Sequence, residues 1–189
     1  MIIELNKMQS LQILDAEGIF VIPDLLTTAQ CGSCIEFANQ LGFMPALQQD
    51  QGRKNTETHI DIRKKDTPLF IKELFSSLCV TIATQFKVPI MHVKINPILE
   101  FYSYTEGQFI SPHCDAPTEI SPEVFSTLTL VLYLNDDFCG GETRFIKNDL
   151  SVSPAIGAGL FFKQEGFRHE GMAVTSGRKY ILRTSLLLG

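Results

Sequence analysis

The chain has 189 residues, 44% apolar and 20% charged, enough for one domain with its own hydrophobic core. A net charge of −5 and a pI of about 5.4 argue against a nucleic-acid partner, which needs basic surface to neutralise phosphates. No apolar run reads as long enough to cross a bilayer, and MIIELNKMQS lacks a leader's charged-then-apolar pattern; with an odd five cysteines, a reduced, cytoplasmic protein is expected.

The first third reads helical. In LLTTAQCGSCIEFANQLG, Thr27 or Thr28 suits an N-cap, and Gly42 stands where a terminating glycine belongs. Cys31 and Cys34 form a CxxC with no second pair at zinc-site spacing. Helical spacing puts both on one face, which predicts core packing. The polar segment from Gln48 to Asp66 reads as a lid, with His59 and Asp61 in loop structure. Arg63 to Lys65 is a solvated basic run, from which Arg63 and Lys64 could reach a substrate. A second helix is expected through DTPLFIKELFSSLCVTIATQF. Thr67 suits its N-cap and Pro68 its first position, with Phe70, Leu74 and Leu78 on the buried face.

After about residue 90 the runs become short, β-branched or aromatic. HVKINPILEFYSY, GQFISPHCD, STLTLVLYLND, ETRFI, GAGLFFK, HEGMAV and KYILRTSLLL all read as strands. DDFCGGE reads as a hairpin turn whose adjacent glycines supply positive φ. The fold class is α+β, mainly β: N-terminal helices packed on a sandwich, barrel or jelly roll. A single domain is expected, with 1–90 as helical support and lid and 91–189 as the β core.

The chemistry starts at SPHCDAP. On a strand, residues two apart share a face, so His113 and Asp115 can converge on one ion while Cys114 turns away. An HxD is weak evidence alone, and the chain has a second at His59 and Asp61. The company differs. His169 opens a later strand, and Lys179 follows ten residues on. Two imidazoles and a carboxylate fill one face of an octahedral Fe(II) and leave three positions open. A 2-oxo acid fits two of these and dioxygen the third. The far carboxylate of the oxo acid then needs a cation, for which Lys179 and Arg183 compete from the same strand face.

The order Y-x-x-G-Q-x-x-x-P-H-x-D, then LTLVLYLNDDFCGGETRF, then H-E-G-x-x-V-x-x-G-x-K-Y-x-L-R-T resembles the Fe(II)/2-oxoglutarate-dependent dioxygenases. The nearest branch is the prolyl 4-hydroxylase-type catalytic domain, over residues 95–187. The resemblance implies a double-stranded β-helix, with His113, Asp115 and His169 as iron ligands. It implies Lys179 rather than Arg183 on the 5-carboxylate of 2-oxoglutarate. Tyr104 would line that pocket and Thr129 would lie near the same carboxylate. Ile110 replaces a second tyrosine of that branch, and Ser185 follows Thr184 where relatives often carry an aspartate.

The implied reaction is hydroxylation of a C–H bond in a prolyl residue or other peptide side chain. It would use Fe(II), 2-oxoglutarate and O2, with ascorbate as a candidate reductant, and release succinate and CO2. An intact Asp115 favours hydroxylation over halogenation, whose enzymes lack this carboxylate. The same chemistry on a free amino acid or small metabolite, and a non-catalytic metal or oxo-acid-binding module, are the alternatives.

Overall fold

The strands expected after residue 90 form, and they divide between two sheets that face each other. The computed structural model describes residues 2–3, 10–46 and 53–189. Among these residues the larger sheet has nine strands. In spatial order they are Gln12–Asp15, Ile19–Ile22, Gly159–Lys163, Leu128–Tyr133, Arg178–Leu188, Ile98–Thr105, Thr56–Asp61 and Met44–Pro45, with Val93–Ile95 also pairing to Arg178–Leu188. The smaller sheet runs Ile2–Ile3, Leu150–Val152, Thr143–Phe145, His169–Gly171, Phe109–His113 and Arg53–Lys54. Two sheets, antiparallel but for the parallel pairing of Ile2–Ile3 with Leu150–Val152, and chain crossings between them make the expected jelly roll.

The period of two explains how the sheets pack. Leu128, Leu130 and Leu132 join one buried cluster with the helices, while Val131 and Tyr133 join a second cluster between the sheets. The strand Ile98–Thr105, on the far side of Arg178–Leu188, divides likewise: Leu99 and Phe101 face the helices, Tyr102 and Tyr104 the space between the sheets. The large sheet is therefore apolar on both faces, and Tyr104, Lys179 and Arg183 lie on its inner face, towards the cavity.

Helix α1, Thr28–Leu41, packs on the outer face. Thr27 is its N-cap, and a reciprocal capping box with Gln30 satisfies two backbone donors. It ends at Gly42, whose φ of 82° few other residues adopt easily. Cys31 and Cys34 are fully buried on its inner side, and burial pushes their thiols up to about 11 and about 12. They are core residues held as thiols.

Helix α2, Leu69–Phe86, begins one residue later than expected, with Pro68 at the N-cap. The Thr67 hydroxyl instead donates to the Asp61 carbonyl. Its buried stripe is Ile71, Leu74, Leu78 and Ile82, while Phe70 is half-exposed. Against expectation, α2 is long and apolar enough by length and composition to cross a membrane. Here it lies along the sheet with that stripe inward. Leu78→Ala is expected to cost about 2–5 kcal/mol of stability through the cavity it leaves, measured by denaturant unfolding.

Three readings need correction. The first 90 residues are not only helical support: Gln12–Asp15, Ile19–Ile22 and Thr56–Asp61 are strands of the large sheet. His59 and Asp61 lie on one of these, in register with Glu100 and Ile98, so residues 53–61 are sheet and not lid; residues 48–52 of the proposed lid lie outside the described residues. DDFCGGE is not a hairpin, because the strands it joins belong to different sheets. Gly140 and Gly141 do take positive φ, of 74° and 71°, where the chain crosses over.

Candidate active site

The inner faces of both sheets supply one constellation. His113 ends the strand Phe109–His113, and His169 begins the strand His169–Gly171 directly opposite it. Their ring centroids are 4.4 Å apart. Asp115 lies two residues beyond the strand end rather than on it, yet its carboxylate returns to both rings. Oδ1 is 3.6 Å from His113 Nε2, and Oδ2 is 4.0 Å from His169 Nε2. All three donor atoms lie within 4.8 Å of one another, and no other such trio of His, Cys, Asp or Glu converges among the described residues. Cys114 is exposed and contributes nothing to the trio.

The protonation pattern suits a cation. His113 Nδ1 lies 2.9 Å from the Ser111 carbonyl, and His169 Nδ1 lies 3.0 Å from that of Phe167. A carbonyl only accepts, so each Nδ1 carries the proton and each Nε2 keeps a lone pair for a metal. Burial lowers the His169 pKa to about 4, with Asp115 opposing, so the ring is neutral at physiological pH. Burial works to raise the Asp115 carboxyl. The Arg183 guanidinium on Oδ1 and the Thr129 hydroxyl on Oδ2 outweigh it, holding the carboxyl well below the usual range. Two imidazole Nε2 atoms and an ionised carboxylate on one side of a cavity are a donor set that fits Fe(II).

That cavity, of about 540 Å³, is bounded by Glu100, Tyr102 and Tyr104 on one strand and Lys179, Ile181 and Arg183 on the next. Lys179 and Tyr104 are direct register partners. The lysine is 4% exposed, its Nζ donates to the Gly141 carbonyl at 2.6 Å, and it sits 5.4 and 5.5 Å from the ring centres of Tyr104 and Tyr133. Burial lowers its pKa to about 8, with Glu142 opposing. No described carboxylate lies within ion-pair distance of it.

Arg183 is placed differently. Its Nη2 is 2.9 Å from Asp115 Oδ1 and its Nη1 is 2.5 Å from Glu100 Oε2. Thr129 also differs from the expectation: its hydroxyl donates to Asp115 Oδ2 at 2.5 Å, beside the triad rather than beside Lys179. The hydroxyl that lines the cavity from the Lys179 side belongs to Thr143, which is bonded at 2.8 Å to the buried Tyr133 phenol. Sequence reading missed Glu100, Tyr102, Thr143 and Phe162. Alternation along Ile98–Thr105 would have found the first two, since they share a face with Tyr104. Phe162, whose ring lies 4.4 Å from that of His169, carries no signal beyond an apolar strand.

A jelly roll with this triad and a buried cation between its sheets defines a metal-dependent oxidoreductase site. Residues 99–185 match the family model described as the 2OG-Fe(II) oxygenase superfamily. A putative prolyl 4-hydroxylase of Acanthamoeba polyphaga mimivirus is 26% identical over 179 residues, covering 86% of this chain and 71% of that protein. A viral collagen prolyl hydroxylase from Paramecium bursaria Chlorella virus-1, solved with 2-oxoglutarate, shares the fold with a TM-score of 0.69. It is 19% identical and is covered to 98%, over 93% of this chain. A prolyl hydroxylase of Trichoplax adhaerens, solved with a hypoxia inducible factor peptide fragment, has a TM-score of 0.70 at 16% identity, covering 93% of this chain and 86% of that one. Residues 99–185 carry a 2OG-Fe(II) oxygenase domain, and the chain is similar in sequence and fold to prolyl 4-hydroxylases.

Proposed function

We propose that this protein hydroxylates a prolyl residue within a peptide, using Fe(II), 2-oxoglutarate and O2. One observation carries the reading: a buried lysine with no described carboxylate partner shares a cavity with a His-Asp-His triad. Bound iron and 2-oxoglutarate would supply the oxidising power, with release of succinate and CO2. The chain's own residues do the rest. His113, Asp115 and His169 hold the metal on one face. Lys179 pairs with the far carboxylate of the cosubstrate, flanked by Tyr104 and Thr143. Val131, Phe162 and Ile181 wall the cavity with apolar surface, which excludes water and strengthens each charge interaction.

A cavity of about 540 Å³ exceeds what a five-carbon oxo acid fills and leaves room for a substrate side chain. A peptide substrate is supported by the relatives, which are prolyl hydroxylases, one bound to a peptide fragment. Ascorbate, keeping the metal ferrous, is part of the same proposal, as is a cytoplasmic setting, which five unpaired cysteines suit. The test is a turnover screen of the iron-loaded protein with proline-containing peptides and free amino acids, reading succinate and a 16 Da gain in substrate mass. Hydroxylation of a peptidyl proline is expected. Failure of every peptide alongside hydroxylation of a free amino acid would replace this substrate class with the small-metabolite one.

A further inference from the structure

Asp115 is the least anchored member of the triad by backbone alone. It lies beyond His113, the last paired residue of its strand, so the ladder does not orient it. Its orientation comes from side chains of the opposite sheet. Thr129, on Leu128–Tyr133, donates to Oδ2, and Arg183, on the adjacent strand Arg178–Leu188, reaches Oδ1. Arg183 is itself held by Glu100, its direct register partner on the third strand. The Asp115 side chain is 8% exposed and that of Arg183 20%, so the contact is shielded from solvent.

We propose that Arg183 is a positioning residue for Asp115: its guanidinium, anchored on Glu100, clamps the carboxylate and so fixes the orientation in which it meets the metal. The inference rests on the metal-site reading above. A carboxylate offers about four lone-pair sites on its two oxygens; a donor on each takes two and leaves one on either oxygen for a metal, so the clamp acts by fixing the orientation of the group. It opposes the turn that would bring both oxygens onto the ion and consume a position meant to stay open. The planar fork of an arginine spans two carboxylates at once, which the point charge of a lysine does not. Arg183 is therefore committed to two partners, while Lys179 remains the cation available to the cosubstrate.

The test is an anaerobic titration of the wild type, Arg183→Met, Arg183→Lys and Thr129→Val with Fe(II) and then 2-oxoglutarate, following metal affinity and the visible charge-transfer band. Far-ultraviolet circular dichroism confirms folding. Arg183→Met is expected to weaken metal binding about 10- to 100-fold and to shift the band. Arg183→Lys should recover part of the loss. At saturating metal, 2-oxoglutarate affinity should be unchanged. Should Arg183→Met not fold, Arg183→Lys and Thr129→Val, each removing one side of the clamp, are expected to weaken metal binding in the same direction. Folded Arg183 variants with wild-type metal affinity and an unshifted band overturn the clamp. A loss confined to 2-oxoglutarate affinity overturns it too and assigns the arginine to the cosubstrate. If the wild type binds no metal, the functional reading itself falls and the clamp with it.

Discussion

His113→Ala and Asp115→Ala are each expected to abolish Fe(II) binding and 2-oxoglutarate turnover, while His59→Ala leaves both nearly intact. The two HxD motifs look alike in sequence and differ in what the fold brings to them. At the first, His169 arrives from the facing strand, and the three donor atoms gather within 4.8 Å. At the second, Asp61 is already engaged. Arg63 Nε lies 2.9 Å from Oδ1 and its Nη2 2.6 Å from Oδ2, and this pairing lowers the Asp61 pKa to about 2. His59 is exposed beside Glu100, and no described third ligand converges on it. Removing an imidazole or the carboxylate from the first site leaves two ligands, too few to hold a divalent ion against water. Asp115→Ala also leaves Arg183 beside the two histidines with only Glu100 to balance it. Metal affinity by titration, with circular dichroism as the folding control, reads the outcome. Loss of iron in His59→Ala with retention in His113→Ala would mean that the other motif is the site.

Lys179→Ala should raise the 2-oxoglutarate requirement steeply while leaving metal affinity close to wild type. Breaking a buried charge pair costs about 2–5 kcal/mol, a factor of roughly thirty to several thousand in affinity. The size follows from the surroundings: the ammonium is 4% exposed, between two aromatic rings and one carbonyl, and a carboxylate brought there is poorly screened. The sign of the pH dependence follows as well. Burial depresses the lysine to about 8, so in the free protein it is charged below that pH and neutral above it. Only the charged form pairs with a carboxylate. Affinity for 2-oxoglutarate should therefore be highest below about pH 8 and fall as pH rises through it. Lys179→Arg, charged throughout, should flatten the profile. Isothermal titration at several pH values separates these cases. A flat profile for the wild type, or an unchanged requirement in Lys179→Ala, removes the lysine from this role.

Much of this molecule was legible along the chain because its signals are local. A capping threonine, a terminating glycine, the alternation of Leu128–Tyr133 and the spacing of His113, Asp115, His169 and Lys179 are each written within a few residues or in motif order. What failed was decided by pairing at a distance. The strands Gln12–Asp15 and Thr56–Asp61 carry polar, half-buried residues that give no strong period. They become strands because a neighbour's open edge accepts them. DDFCGGE has hairpin chemistry, but a turn cannot state which sheet the next strand will join.

The site divides in the same way. Sequence alone determined which residue types were present and that two histidines, a carboxylate and a lysine followed one another in motif order. Only the tertiary structure set Thr129 on Asp115 instead of near Lys179, separated the two cations and brought Glu100, Tyr102 and Thr143 into the cavity. The reason is geometric. A strand's period fixes which face a side chain takes, but register across strands fixes what it meets there, and that register is set by partners many residues away.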